Sequence, residues 1–227
     1  MQGSRRLAFT AAAAAAFLWL AAPAGAQSGK GSKGAQPPAA APGAAYAQRF
    51  AQLCAACHGA NGRSEMPNTP ALSGQHSFYA ITQLFLFREG RRANEAMSAV
   101  AKGMKDDDMR GFSDFIATLP PVPAPPPATQ PDAARMARGK ALAQEHKCVF
   151  CHGADFSGGQ QVPRIGGQRE DYLKMTLQEF KSAKRVGYTM AMAEAVGRIP
   201  GEDLDTLAYY LARFPVPPGP PGPSPTK

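Results

Sequence analysis

Cys54-Ala55-Ala56-Cys57-His58 and Cys148-Val149-Phe150-Cys151-His152 decide how the rest of this chain is read. Each places two thiols on one face of a helical turn and follows them at once with an imidazole. Such a turn can form thioethers to both vinyl groups of a haem and offer the His to the iron, which is the pattern of c-type haem attachment. All four cysteines fall in these two motifs, as do two of the four histidines. A thioredoxin-like dithiol would need a strand–helix–strand setting, and none is legible. A zinc site would want its cysteine pairs closer in sequence than 94 positions. Disulfides suit an exported chain but do not call for a His after each pair. The motifs therefore predict two covalently attached haem c groups. Cys54, Cys57 and His58 hold one, and Cys148, Cys151 and His152 hold the other.

Working outward, the two motifs head similar segments. Each motif is followed by a Pro and then a Gly-Gln: Pro70 with Gly74-Gln75, and Pro163 with Gly167-Gln168. An aromatic-containing helix ending in basic residues comes next, expected over Tyr79 to Arg92 and over Tyr172 to Arg185. Each segment then supplies a Met and closes with an acid-led helix. Gln75 to Arg92 and Gln168 to Arg185 are both 17 positions, so the pattern reads as an internal duplication. The first closing helix starts at Asp106-Asp107-Asp108 and shows Met109, Phe112, Phe115, Ile116 and Leu119 on one face. The second follows Pro200 and shows Leu204, Leu207, Leu211 and Phe214. No convincing alternating strand is present, so the fold class is all-α. Units this small build only modest cores, and a buried haem adds apolar surface.

The boundaries follow from composition. Residues 1–26 read as a secretory signal peptide: Arg5-Arg6, an apolar run from Leu7 to Ala22, and Ala24-Gly25-Ala26 before Gln27. Residues 27–44 form a flexible leader, 45–119 the first domain, 120–131 a proline-rich linker, 132–214 the second domain, and 215–227 a proline-rich disordered tail. The net charge of +8 is spread thinly along the chain. No basic block stands out, which argues against nucleic acid as a partner. No transmembrane segment is expected once the signal is cleaved.

A methionine thioether opposite His makes a higher-potential electron-transfer haem. Met97 lies 39 positions after His58 and just ahead of the first closing helix. Met66 follows the haem motif too closely, and Met104 and Met109 read as helix-packing residues. The second segment offers Met190 and Met192. The downstream anchor favours Met192, which precedes Asp203 by 11 as Met97 precedes Asp108 by 11. The upstream anchor favours Met190, which follows Arg185 by 5 as Met97 follows Arg92 by 5. Met192 is preferred because the closing helix should place the ligand loop. His76 and His146 lack matching partners in the other repeat and read as surface or supporting residues.

Over residues 46–119 and 133–214 the chain resembles the cytochrome c4 type, exported proteins made of two fused class I cytochrome c domains. The resemblance rests on Cys-Ala-Ala-Cys-His-Gly, Asn61-Gly62-Arg63-Ser64, Pro70-Ala71-Leu72-Ser73-Gly74-Gln75, Phe87-Arg88-Glu89-Gly90-Arg91-Arg92 and Leu207-Ala208-Tyr209-Tyr210. In that family a Met-x-Met pair resembles Thr189-Met190-Ala191-Met192, and its second Met takes the ligand's place. The resemblance implies that the Pro70 and Pro163 carbonyls orient the proximal histidines, and that two packed domains bring haem propionates near their interface. It further implies a bacterial periplasmic electron carrier. Redox protein partners would be a membrane oxidase, a cytochrome bc complex or a dehydrogenase. The competing classes are a haem enzyme with an open iron position, such as a peroxidase or sulfur-compound oxidase, and a cytochrome subunit bound tightly to a dehydrogenase.

Overall fold

The structure is a computed structural model that describes residues 42–123, 125, 130–185 and 190–216. The signal, nearly all of the leader, part of the linker and most of the proline-rich tail lie outside the described residues.

Five helices repeat in one order. The first set is α1 (Pro42–Leu53), α2 (Ala55–His58), α3 (Ser77–Arg88), α4 (Glu95–Lys102) and α5 (Asp106–Thr118). The second is α6 (Ala133–Glu145), α7 (Cys148–His152), α8 (Glu170–Lys181), α9 (Ala191–Val196) and α10 (Gly201–Ala212). No strand occurs among the described residues, where one isolated bridge joins Gly159 to Val162. Each set closes on its own core. Phe50, Leu84, Met104, Met109, Phe112 and Ile116 form the first. Leu142, Phe156, Leu173, Leu177, Leu204, Leu207 and Leu211 form the second. Leu53, the last residue of α1, is exposed.

The first and last helices of each set cross at a glycine. A Cβ on Gly111 of α5 would lie 2.0 Å from the Tyr46 ring of α1. A Cβ on Gly139 of α6 would lie 2.3 Å from Cβ of Tyr210 of α10. A glycine inside a helix costs about 1 kcal/mol relative to alanine, and here it lets an aromatic side chain lie against the facing backbone. The two domains reach the same crossing with the roles exchanged: the glycine sits on the last helix in one and on the first in the other. At the head of α5, the Asp108 carboxylate accepts from the Lys105 backbone N–H at 3.0 Å and from Arg49 Nη1 at 2.6 Å, tying α1 to α5.

The structure corrects the expected ends of the middle helices. They stop at Arg88 and Lys181 rather than running to Arg92 and Arg185. The chain turns through positive φ at Gly90 (64°) and Ala183 (55°), which are equivalent positions. The Arg92 N–H then donates back to the Leu86 carbonyl, and the Arg185 N–H to that of Glu179. This turn takes both arginines off the helix surface and aims them at the other domain.

The domains meet through the same surface on each. Gln75 Nε2 donates to the Arg164 carbonyl (2.7 Å) while its Oε1 accepts from the Arg164 N–H (3.2 Å). Gln168 does the same to Ala71, with Nε2 to the carbonyl at 2.9 Å and Oε1 from the N–H at 2.8 Å. Gln75 and Gln168 stand 93 positions apart in the chain, as do Ala71 and Arg164. The interface is therefore isologous within one chain, with a duplicated surface docking on its copy.

Candidate haem-binding sites

The haem motifs open directly from the first helices. Cys54 precedes α2, and both the Cys57 and His58 N–H groups donate to its carbonyl. Cys57 thereby falls on the same side one turn on. Cys148 and Cys151 lie in α7 in the same relation. All four thiols are free, Cys54 and Cys148 half-buried and Cys57 and Cys151 exposed. Burial pushes the Cys54 thiol up to about 11 and raises that of Cys148, so these sulfurs are protonated at neutral pH. Positive φ at Gly59 (78°) and Gly153 (80°) turns the chain away after each His.

His58 and His152 are buried. His58 Nδ1 lies 3.0 Å from the Pro70 carbonyl, and His152 Nδ1 lies 3.0 Å from that of Pro163. A carbonyl can only accept, so each Nδ1 carries the hydrogen and each Nε2 keeps its lone pair for a metal. Burial lowers both imidazoles against the opposing pull of the prolyl carbonyls, which keeps the rings neutral. This is the arrangement a ligating His requires: fixed tautomer, fixed plane, free Nε2.

Met97 lies in α4, half-buried against the first core. Asn94 caps that helix, its Oδ1 accepting from the Met97 N–H at 2.9 Å. Met192 lies in α9, half-buried against the second core, whereas Met190 precedes the helix and is 60% exposed. The geometry thus separates two residues that spacing alone left close. Of the other methionines, Met66 is exposed and Met104 and Met109 are buried in the first core. His76 Nε2 lies 2.9 Å from the Ser157 carbonyl across the interface, which gives this histidine a structural place.

Each domain therefore offers two thiols, a neutral imidazole with Nε2 free, and a core-facing thioether. That donor set fits a covalently bound haem. Comparison with known proteins agrees. A cytochrome c family profile matches residues 43–120 and 136–214. The chain belongs to the cytochrome c family. Cytochrome c4 of Thiocapsa roseopersicina is 33% identical over 170 residues, 70% of this chain and 85% of that protein. The thiosulfate dehydrogenase electron acceptor of Thiomonas intermedia is 29% identical over 178 residues, 74% of this chain and 81% of that protein. Among solved structures, reduced cytochrome c4 from Pseudomonas stutzeri superposes with a TM-score of 0.66 at 24% identity, covering 76% of this chain and 98% of that one. The protein is thus a diheme cytochrome of the cytochrome c4 type, with two tandem class I domains and two covalently attached haem c groups, and its function is electron transfer.

Sequence reasoning missed the residues that join the domains. Gln75 and Gln168 were visible as part of a repeated Gly-Gln. Their partners lie in the opposite domain, and nothing local marks a side chain that pairs with a backbone 89 or 97 positions away.

Proposed function

We propose that the protein is an exported, periplasmic carrier that passes electrons between redox enzymes of a respiratory or dehydrogenase chain, and that it performs no substrate chemistry at either iron. The observation behind this reading is the pairing, in each domain, of a His with Nε2 free and a core-facing Met. His58 and Met97 would hold one iron, and His152 and Met192 the other. When bound, each haem supplies an iron that cycles between the ferric and ferrous states. The chain's own residues do the rest. Burial keeps the imidazoles neutral, and the prolyl carbonyls fix their tautomer and orientation. The Met97 and Met192 thioethers would complete the iron's ligand set, which would leave no open position for substrate. The two apolar cores would keep water from the bound haem. The Met1–Ala26 signal supports export, and no described helix is long and apolar enough to cross a membrane.

The resemblance to a thiosulfate dehydrogenase electron acceptor favours a second, compatible reading, in which the donor is a dehydrogenase that holds this chain as a subunit. A mixing experiment tests the carrier reading. The purified protein should undergo two one-electron oxidations and show no catalytic turnover of hydrogen peroxide or thiosulfate alone. Sustained consumption of either by the isolated protein would make it an enzyme.

A further inference from the structure

The middle helix of each domain ends in a basic residue that reaches past its own helix to the segment carrying the methionine. In the first domain Arg88 Nη1 donates to the Met104 carbonyl at 3.3 Å, between α4 and α5. In the second, Lys181 Nζ donates to the Ile199 carbonyl and, at 3.3 Å, to that of Gly197, just after α9. Arg88 and Lys181 are equivalent, 93 positions apart. Met97 and Met192, and likewise Met104 and Ile199, are 95 apart. Both cations therefore hold the same point, the exit of the helix that carries the methionine.

The domains differ in what else holds that helix. At the start of α4, Asn94 Oδ1 accepts from the N–H of Met97 itself. At its end Lys102 lies in the last turn, and Arg88 is pinned in turn by Asp106 at 2.7 Å and Glu89 at 2.8 Å. The helix α9 is shorter, six residues against eight. Its start has no side-chain cap, and its last turn has no basic residue of its own. It is also reached by a longer segment, since Met97 follows Arg92 by 5 positions and Met192 follows Arg185 by 7. Among the described residues no carboxylate forms an ion pair with Lys181. The last carbonyls of a helix lack intrahelical donors and carry partial negative charge, so they favour a cation that can donate to them. Lys181 supplies both from a neighbouring helix.

We propose that Lys181 is a positioning residue for Met192. It fixes the end of α9 and so holds the thioether toward the second core, a task that the first domain spreads over Asn94, Lys102 and Arg88. The second domain is then the one whose methionine yields first to an outside ligand, and Lys181 sets how readily it does so.

The inference rests on Met192 as the second iron's ligand. Met192→Leu checks that separately, because half of the near-red methionine–iron absorbance should vanish. The test itself is an imidazole titration of the ferric holoprotein, both haems attached, followed by loss of that absorbance. A ligand that must wait for the methionine to leave binds in proportion to the population in which it has left. Wild type should show two transitions, and the absorbance left in Met192→Leu should be lost at the weaker one. Lys181→Met removes the ammonium and keeps an unbranched stem. It should tighten the stronger transition about tenfold, the size expected for lost hydrogen bonds to a charged group, and leave the weaker in place. Lys181→Arg, the residue type of the first domain, should restore the wild-type curve. A merely structural lysine would lower the melting temperature without moving either imidazole affinity. An unmoved stronger transition in Lys181→Met, an equal shift of both transitions, or no rescue by arginine would overturn the proposal. So would a Met192→Leu protein that keeps the stronger transition and loses the weaker, and that comparison needs no lysine variant.

Discussion

Met190 and Met192 differ by two positions in the chain and by a helix start in space. Met190 stands outside α9 with most of its surface in solvent, and Met192 turns into the second core. Replacing Met192 by Leu should remove the methionine–iron band of one haem and let that haem bind carbon monoxide when reduced. Met190→Leu should change neither property. The reverse pattern, read in the same spectra, would move the ligand to Met190. The cysteines and the histidines that follow them were legible because each sits at a short, fixed distance from the next, whereas their prolyl partners came only from the family resemblance. The methionine choice was not, because the upstream and downstream anchors gave two answers. Burial favours Met192, and burial depends on which way the first turn of α9 points.

Elements show what a sequence pattern carries and what it drops. The closing helices were readable from their acidic starts and apolar faces, and α5 begins at the first of the three aspartates as expected. Asp108 contributes through the Lys105 N–H and Arg49. These hold its carboxyl below the ordinary range, the backbone hydrogen bond first. Because its folded pKa is depressed, the contribution is whole above the unfolded value of about 3.9. It is lost as pH falls through the lower folded value. Asp108→Asn should therefore lower thermal stability at pH 7, by about 1 kcal/mol for a lost helix-start partner. The gap from wild type should narrow as titrations are carried progressively below the unfolded value of about 3.9; a gap that does not narrow would assign the effect to packing. The glycine crossings were not legible, since a lone Gly inside a helical pattern looks only like a weak spot. The facing ring explains it. Gly139→Val would drive a side chain into Tyr210 and should cost about 1–3 kcal/mol in denaturant unfolding, with haem attachment retained. An unaltered midpoint would mean that α6 and α10 can shift apart cheaply. The overlong middle helices were a similar misreading. Basic residues at a helix end look like a last turn, but here they follow a left-handed turn that aims Arg92 and Arg185 across the interface.

At the scale of the whole molecule, duplication gives the protein its form. One surface docks on its copy, and the pairing is specified by side-chain amides that complete the other domain's backbone. Gln168→Ala would strip both partners from the buried Ala71 backbone, a loss of about 1–3 kcal/mol for groups left unsatisfied. It should make the two domains unfold at separate temperatures in calorimetry; a single undisturbed transition would show that the interface does not couple them. The central claim is that two six-coordinate irons carry electrons through this paired frame. The most direct test is the absorption spectrum of the purified holoprotein, oxidised and reduced, with carbon monoxide added to the reduced form at neutral pH. The account predicts two haems per chain, a near-red methionine–iron band in the ferric state, and no change on adding carbon monoxide. Ready carbon monoxide binding at either haem would show an open or labile iron and contradict it.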